Sequence, residues 1–214
     1  MSAIALREGA AALGVVLGDR QCERLLAYGA LILKWNKVYN LTALRDPATV
    51  LTHHLLDSLS VITPLARQCP VTVAPQTLLD VGAGAGLPGV VIAILREDIQ
   101  VTCLDAVAKK VAFVQQVAAE LGLPNLRALH ARVESLTGAY DVISSRAFAS
   151  LPDFYSGSSQ LLAEQGVWLA MKGKVPGDEL AQLPARVQVF HVEQLQVPGL
   201  DAERCIVWAR KAAV

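Results

Sequence analysis

Neither sign of charge dominates this 214-residue chain: 19 Lys and Arg balance 19 Asp and Glu. Bulk charge therefore announces no polyanionic partner, and a nucleic acid would have to meet a local patch. Cysteine is scarce too. Cys22, Cys69, Cys103 and Cys205 lie far apart with no C-x-x-C pair, which argues against a zinc knuckle or redox motif and fits a reduced cytoplasm. The apolar stretch from Val81 to Leu95 has 15 residues, broken by four glycines and a proline, too short and too interrupted to cross a membrane. Arg7-Glu8 stand inside the first apolar stretch, so the N-terminus does not resemble a secretory signal. No internal repeat and no low-complexity tract is visible.

A hydrophobic content of 53% suffices for a sizeable core, and the length suits one domain with an appendage. Residues 1–76 read as a helical N-terminal cap and 77–214 as the main domain. Asp19 is a candidate N-cap for a helix carrying Cys22, Leu25, Leu26, Gly29, Ile32 and Leu33, with Trp35 near its end. Asp46-Pro47 is a cap followed by proline at the first helical position, opening a helix through Leu59. Between these helices KWNKVYNLTALRDP (34–47) reads as a loop mixing basic and aromatic residues. Pro64 to Gln76, with three prolines, reads as the linker into a sheet.

The rest of the chain is arranged around LLDVGAGAGLPG, Leu78 to Gly89. An apolar strand ends in Asp80 and runs into glycine at alternate positions, Gly82, Gly84 and Gly86. Without a Cβ, such a backbone turns sharply and approaches a ligand closely. The helix begun by Val90 to Leu95 is expected to face its N-terminal amides to the same crevice. A dinucleotide fingerprint wants G-x-G-x-x-G, yet Leu87 stands where its third glycine belongs. A carboxylate at Asp80 would repel a pyrophosphate and suits a ligand with ammonium and sulfonium centres. This favours S-adenosylmethionine as cofactor over NAD.

From Leu78 onward strands and helices alternate, the mark of an α/β fold with a parallel sheet. Strands are expected at Val101–Asp105, Leu126–His130, Tyr140–Ser144 and Val167–Met171. Helices fall around Val107 to Leu121, closed by Gly122, and around Phe154 to Leu162. Arg186 to Val197 and Arg204 to Lys211 alternate across a short turn and read as an antiparallel hairpin. Asp105 ends the second strand 23 positions beyond Gly82, where an acid accepts hydrogen bonds from ribose hydroxyls, or caps the next helix, or does both. Val133-Glu134 follow the third strand, where an adenine ring would lie, although Glu134 also reads as a solvated loop acid.

Ser144-Ser145-Arg146-Ala147-Phe148 follow the fourth strand, facing the point of methyl delivery. No Asn/Asp-Pro-Pro-aromatic run occurs there, as amino-group methylation of bases would want. No cysteine lies between Cys103 and Cys205 to serve as the nucleophile of carbon methylation. What remains is an acceptor already nucleophilic, such as a ring nitrogen. Arg146 is a candidate to position that substrate, or else a surface ion pair. Lys172 and Lys174 in MKGK, and more weakly Arg204, are candidates for phosphate contact. His53 and His54 point in different directions on a helix and His53 with Asp57 makes only two ligands, so no metal is expected. A helix-surface hydrogen-bond cluster of His54, Asp57 and Ser58 is the reading preferred.

KWNKVYNLTALRDP, HHLLDSL (53–59), LLDVGAGAGLPGV, SSRAF and MKGK together resemble the bacterial glucose-inhibited division protein B family, the small-subunit ribosomal RNA guanine-N7 methyltransferases. The resemblance runs from about Leu25 to Lys211. It implies a seven-stranded class I methyltransferase sheet with a helical N-terminal cap, and cofactor contacts on Gly82, Leu87, Val133-Glu134 and Arg146. It implies a guanine in the decoding-centre loop of 16S RNA as substrate, free or in the small ribosomal subunit. The family's basic surface falls on Lys34, Lys37, Arg45, Lys172, Lys174 and Arg204. Two other classes stay open: a ribosome-assembly factor that keeps the pocket without catalysis, and a dinucleotide-dependent oxidoreductase.

Overall fold

The computed structural model describes residues 1–72, 74 and 76–212. The N-terminal part is helical: α1 (Ala3–Ala12), α2 (Asp19–Tyr39), α3 (Pro47–Val50), a π-helical stretch (Leu51–Leu56), α4 (Asp57–Leu59) and α5 (Ile62–Gln68). Asp46 caps α3 by accepting from the amides of Ala48 and Thr49, each at 2.9 Å, with Pro47 contributing no N–H that needs a partner.

Three helical expectations shift. α2 continues to Tyr39 because Trp35 packs on Phe113 and Tyr39, at 5.4 and 5.0 Å between ring centroids; the connecting loop is therefore residues 40–46. Pro64 lies in the first turn of α5, where proline is tolerated, so the linker starts at Cys69 rather than Pro64. Val73 and Pro75 of that linker lie outside the described residues. The helix through Leu59 is not uniform either, since residues 51–56 follow π geometry. Its wider turn leaves Leu55, Leu56 and Leu59 in the core while His54 and Asp57 line a cleft.

Five strands run parallel: β1 (Gln76–Val81), β2 (Ile99–Asp105), β3 (Leu126–His130), β4 (Tyr140–Arg146) and β5 (Leu162–Lys172). They are joined by α6 (Gly89–Leu95), α7 (Ala108–Glu120) and α8 (Leu151–Ser158). A short α9 (Gly177–Ala181) leads to β6 (Val187–Leu195) and β7 (Arg204–Lys211). The hairpin is antiparallel as expected, and β7 also runs antiparallel to β5. The order across the seven-stranded sheet is β3-β2-β1-β4-β5-β7-β6. β5 begins five residues before Val167, its Leu162 pairing with Tyr140 across a register shift. α8 starts at Leu151 because Ser150 accepts from the amide of Asp153 and Pro152 fits the first turn.

Side chains alternate between the two faces of the sheet. Leu78 joins Tyr28 and Ile32 of α2, Val91 of α6 and Val114 of α7 in one core, while Leu79 and Val81 join Phe154 and Tyr155 of α8 and Trp168 in the other. The helical cap is fastened to the sheet by Arg24, which donates to the carbonyls of Leu121 and Gly122 at the end of α7 and pairs with Glu97. Strand order reverses between β1 and β4, which opens a crevice at the carboxyl ends of the strands.

Candidate functional site

The crevice floor is the turn out of β1. Gly82, Gly84 and Gly86 have φ of +67°, +61° and +88°, a region that costs a side-chain-bearing residue about 1–2 kcal/mol. Ala83 N–H donates to the Leu104 carbonyl, and the amides of Gly86 and Leu87 donate back to Ala83. Gly84 N–H donates to Asp105 Oδ2 at 2.9 Å. From the other side, the Tyr28 hydroxyl donates to the Ala85 carbonyl at 2.6 Å. The loop is thus held by β2 and by α2 before any ligand arrives.

Asp80 takes a different place from the one its sequence position suggests. It is fully buried, accepting from Gly89 N–H and from Ser144 Oγ–H, both at 2.9 Å, and it does not line the cleft. The first amide of α6 is therefore spent on Asp80, and the helix offers no N-terminus to the crevice. Asp80 therefore offers no oxygen to a ligand's ammonium group in the cleft. Burial raises the Asp80 carboxyl to about 6, against the opposing pull of the Gly89 amide, the Ser144 hydroxyl and Arg146. A carboxyl more basic folded than unfolded stabilises the protein at low pH and loses that contribution as pH rises through about 6. Between about pH 4 and about pH 7 the native protein should lose on the order of 2 kcal/mol relative to Asp80→Asn. Urea midpoints of both proteins at the two pH values check this; parallel changes would show that Asp80 does not titrate.

Two hollows meet above the loop. The larger, about 480 Å³, is lined by Gly82, Gly84, Leu87, Arg146, Lys172 and Arg204 among others. The smaller, about 330 Å³, is lined by Gly82, Asp105, Lys110, Val133, Glu134 and Phe148 among others. They share Gly82 and Ala147. The Phe148 ring stands at the join: a Cβ at Gly82 would collide with its Cδ2. Ala147 and Ala149 on either side of it have φ of +53° and +43°.

Most of the cofactor candidates come together in these two hollows. Several other candidates do not. Gly86 packs against Val90 and Val114, so its lack of a side chain serves the packing of the loop rather than the cleft. Lys174 is exposed and lies beyond the cleft, beside α9. Asp105 accepts from Val107 N–H just ahead of α7 and from Gly84 N–H, with Lys110 Nζ 3.6 Å from its Oδ2. The N-cap of α7 is Val107, with no side-chain cap bond, so Asp105 is not the helix cap. Lys172 is in the cleft wall, but its ammonium is bound by Glu179 of α9 and by the Ala149 carbonyl. Lys34, Lys37 and Arg45 are exposed on α2 and its following loop.

The predicted His54–Asp57–Ser58 cluster does not form. Asp57 accepts from Arg146 Nη1 at 2.8 Å and from Arg204 Nε at 2.7 Å. His54 Nε2 is 2.9 Å from Thr42 Oγ1, and Ser58 Oγ has no partner among the described residues. Burial, then Arg146, lowers the His54 imidazole to about 4, so at neutral pH it is uncharged. Thr42 is brought there by Asn36, which donates to the Leu44 carbonyl and accepts from Thr42 N–H. Thr42, His54 and Asp57 were not among the sequence candidates for the site. A signal for Asp57 does exist: an acid inside the apolar run LLDSL must find a cation if it is buried. Among the described residues no group of three His, Cys, Asp or Glu can hold a metal ion.

An acid at the end of β2, a glycine turn after β1 and room for a flat group beside Val133 fit an adenosyl group with an amino-acid tail. Over Gly84 the space is open, the nearest atom to an added Cβ being the Gly82 carbonyl oxygen at 3.9 Å. A family profile described as rRNA small subunit methyltransferase G matches residues 21–207. The chain belongs to the GidB family. A GidB relative from Albidiferax ferrireducens, named ribosomal RNA small subunit methyltransferase G, is 65% identical over 98% of this chain and 97% of its own. Another of the same name from Acidovorax sp. strain JS42 is 60% identical over 98% of this chain and 95% of its own. Among solved structures, a ribosomal protein L11 methylase from Lactobacillus delbrueckii subsp. bulgaricus superposes with TM-score 0.58 at 15% identity, covering 73% of this chain and 79% of that one. A SAM-dependent methyltransferase from Aquifex aeolicus does so with TM-score 0.58 at 18% identity, covering 79% and 96%. At these identities the neighbours speak for the fold alone, and it is the class I methyltransferase fold. The helical N-terminal part supplies Thr42, His54 and Asp57 to the cleft wall and Tyr28 to the back of the glycine turn.

Proposed function

We propose that this GidB protein transfers a methyl group from S-adenosylmethionine to N7 of a guanine in 16S ribosomal RNA, in the decoding-centre loop of the small subunit. The observation that carries this reading is a nucleoside-sized glycine cleft joined to two arginines. S-adenosylmethionine supplies an electrophilic methyl on a sulfonium centre. Asp105 would hold the ribose hydroxyls, and the turn at Gly82 and Gly84 would leave space for the amino-acid tail. Val133 and Glu134 flank the place for the purine.

Guanine N7 is a major-groove acceptor with an in-plane lone pair and no proton. No residue has to remove one. His54, bound to Thr42 and uncharged at neutral pH, adds no positive charge beside a purine that becomes cationic. Arg146 and Arg204 offer N–H groups to the RNA. Holding nucleophile and methyl in near-attack geometry then supplies the rate, by roughly 7–11 kcal/mol in favourable cases. The neutral overall charge suits a substrate met as a folded ribonucleoprotein, with affinity from a local patch rather than from the whole surface.

A 7-methylguanosine carries a fixed positive charge and has a labile glycosidic bond, so mild reduction followed by aniline cleaves the RNA at that position. The expected result is one such cleavage in 16S RNA of small-subunit particles incubated with the protein and S-adenosylmethionine, absent when 7-deazaguanine replaces the target. A methylated nucleoside that resists the cleavage would move the acceptor atom. No methyl transfer beside intact particle binding would favour an assembly factor.

A further inference from the structure

We infer that Asp57 is a positioning residue that sets Arg146 and Arg204 as a two-guanidinium fork for a phosphate of the RNA substrate, an inference that rests on the function proposed above. Its side chain is 2% exposed, and its two oxygens are divided between two arginines that arrive from β4 and β7, 89 and 147 residues away along the chain. A buried carboxylate needs a cation, and one arginine would have sufficed for neutrality. Two leave a surplus positive charge at the cleft wall. Nothing else nearby adds to it: Lys172 is neutralised by Glu179, and His54 is uncharged at neutral pH.

The way the donors are used separates a fork from a plain strap. Arg146 Nη1 donates to Asp57 and to the His53 carbonyl, and Arg204 uses Nε on Asp57 and Nη1 on the Glu203 carbonyl. Nη2 of both guanidiniums and Nε of Arg146 have no hydrogen-bond partner among the described residues, and the side chains are 20% and 24% exposed in the cleft. A strap that only joined the cap to the sheet would bury these donors or pair them. Two planar guanidiniums, oriented from behind by one carboxylate and free in front, match the geometry of a phosphodiester. The carboxylate tail of the cofactor is the other anion that could occupy the fork. Gly84 and both arginines line one hollow, so the two anions are told apart by what Asp57→Asn moves: affinity for S-adenosylmethionine if the tail occupies the fork, kcat for RNA if a phosphate does.

Asp57→Asn tests this, since it keeps the volume and an acceptor but removes the charge. At saturating cofactor, kcat for methyl transfer to small-subunit particles should fall about thirtyfold or more, because misplacing a held group by about an ångström costs up to a hundredfold. KM for the particles should not rise, and the salt dependence of RNA binding should steepen by about one counterion because the fork gains a net charge. Affinity for S-adenosylmethionine should stay within about threefold. With Arg146 and Arg204 both replaced by Ala, adding Asp57→Asn should cost almost nothing more. If Asp57→Asn does not fold, Arg204→Lys keeps the charge and loses the fork, and should lower kcat without weakening RNA binding. A loss of thermal stability with kcat per folded molecule unchanged would overturn the inference, as would a loss confined to cofactor affinity. The function itself fails in a different place: unmodified protein would then transfer no methyl. The fork is still read in that case from arginine side-chain ¹⁵N resonances titrated with a guanosine-containing oligoribonucleotide. Joint shifts of Arg146 and Arg204 support it, and their absence overturns it.

Discussion

Replacing Gly84 by valine is expected to weaken S-adenosylmethionine binding by at least about a hundredfold, equivalent to about 2.7 kcal/mol, while the protein stays folded. Gly84 has φ +61°, and an added Cβ there meets no protein atom nearer than the Gly82 carbonyl oxygen at 3.9 Å. The cost to the protein is therefore backbone strain of about 1–2 kcal/mol, a few degrees in thermal midpoint for a chain of this size. The space the valine methyls take is the cleft itself. Gly86→Ala makes the contrast, because its Cβ would lie 2.5 Å from Val90 Cγ2 and 3.1 Å from Val114 Cγ2. That variant should lose stability without entering the ligand volume. Calorimetric titration beside thermal melts separates the two, and an unchanged affinity for Gly84→Val would place the cofactor elsewhere.

Asp105→Ala is expected to cost a comparable factor by a different route. Hydrogen bonds to a charged group contribute about 1.5–3 kcal/mol each, so losing two ribose contacts corresponds to about a hundredfold or more. The same substitution releases Gly84 N–H and Val107 N–H, which loosens the loop and lowers the thermal midpoint. Affinity and stability therefore fall together, and affinity alone does not identify the ribose contact. A cofactor analogue lacking the 2′-hydroxyl does. The native protein should bind it about ten- to a hundredfold more weakly, and Asp105→Ala should barely distinguish it from the parent compound. Equal discrimination by both proteins would leave Asp105 as a support of the glycine turn only.

How much of this was legible depended on whether a residue's role was local. The β1 glycine turn, Asp105 at the end of β2 and the Asp46-Pro47 cap are fixed by neighbours within a few positions, and each lies where periodicity and spacing put it. The strand order and the insertion of β7 beside β5 are long-range pairings that no local pattern encodes. Asp80 was misjudged for the same reason. Its position at the strand end was clear, but Ser144, 64 residues away, and Gly89 turn it inward. Asp57 looked like a helix-surface acid because its partners sit on strands far along the chain. The π stretch at Leu51–Leu56 escaped notice since HHLLDSL satisfies an ordinary helical period nearly as well. Gly86 shows the converse error, a motif glycine whose need for φ +88° and close packing is structural.

β7 enters the sheet between β5 and β6, and Arg204 is its first residue. Until β7 pairs with β5, the outer edge of β5 is bare and one oxygen of Asp57 has no arginine. Closing the sheet and neutralising the buried carboxylate of the N-terminal part are therefore a single event, which ties the docking of the helices to the last strand pairing of the chain.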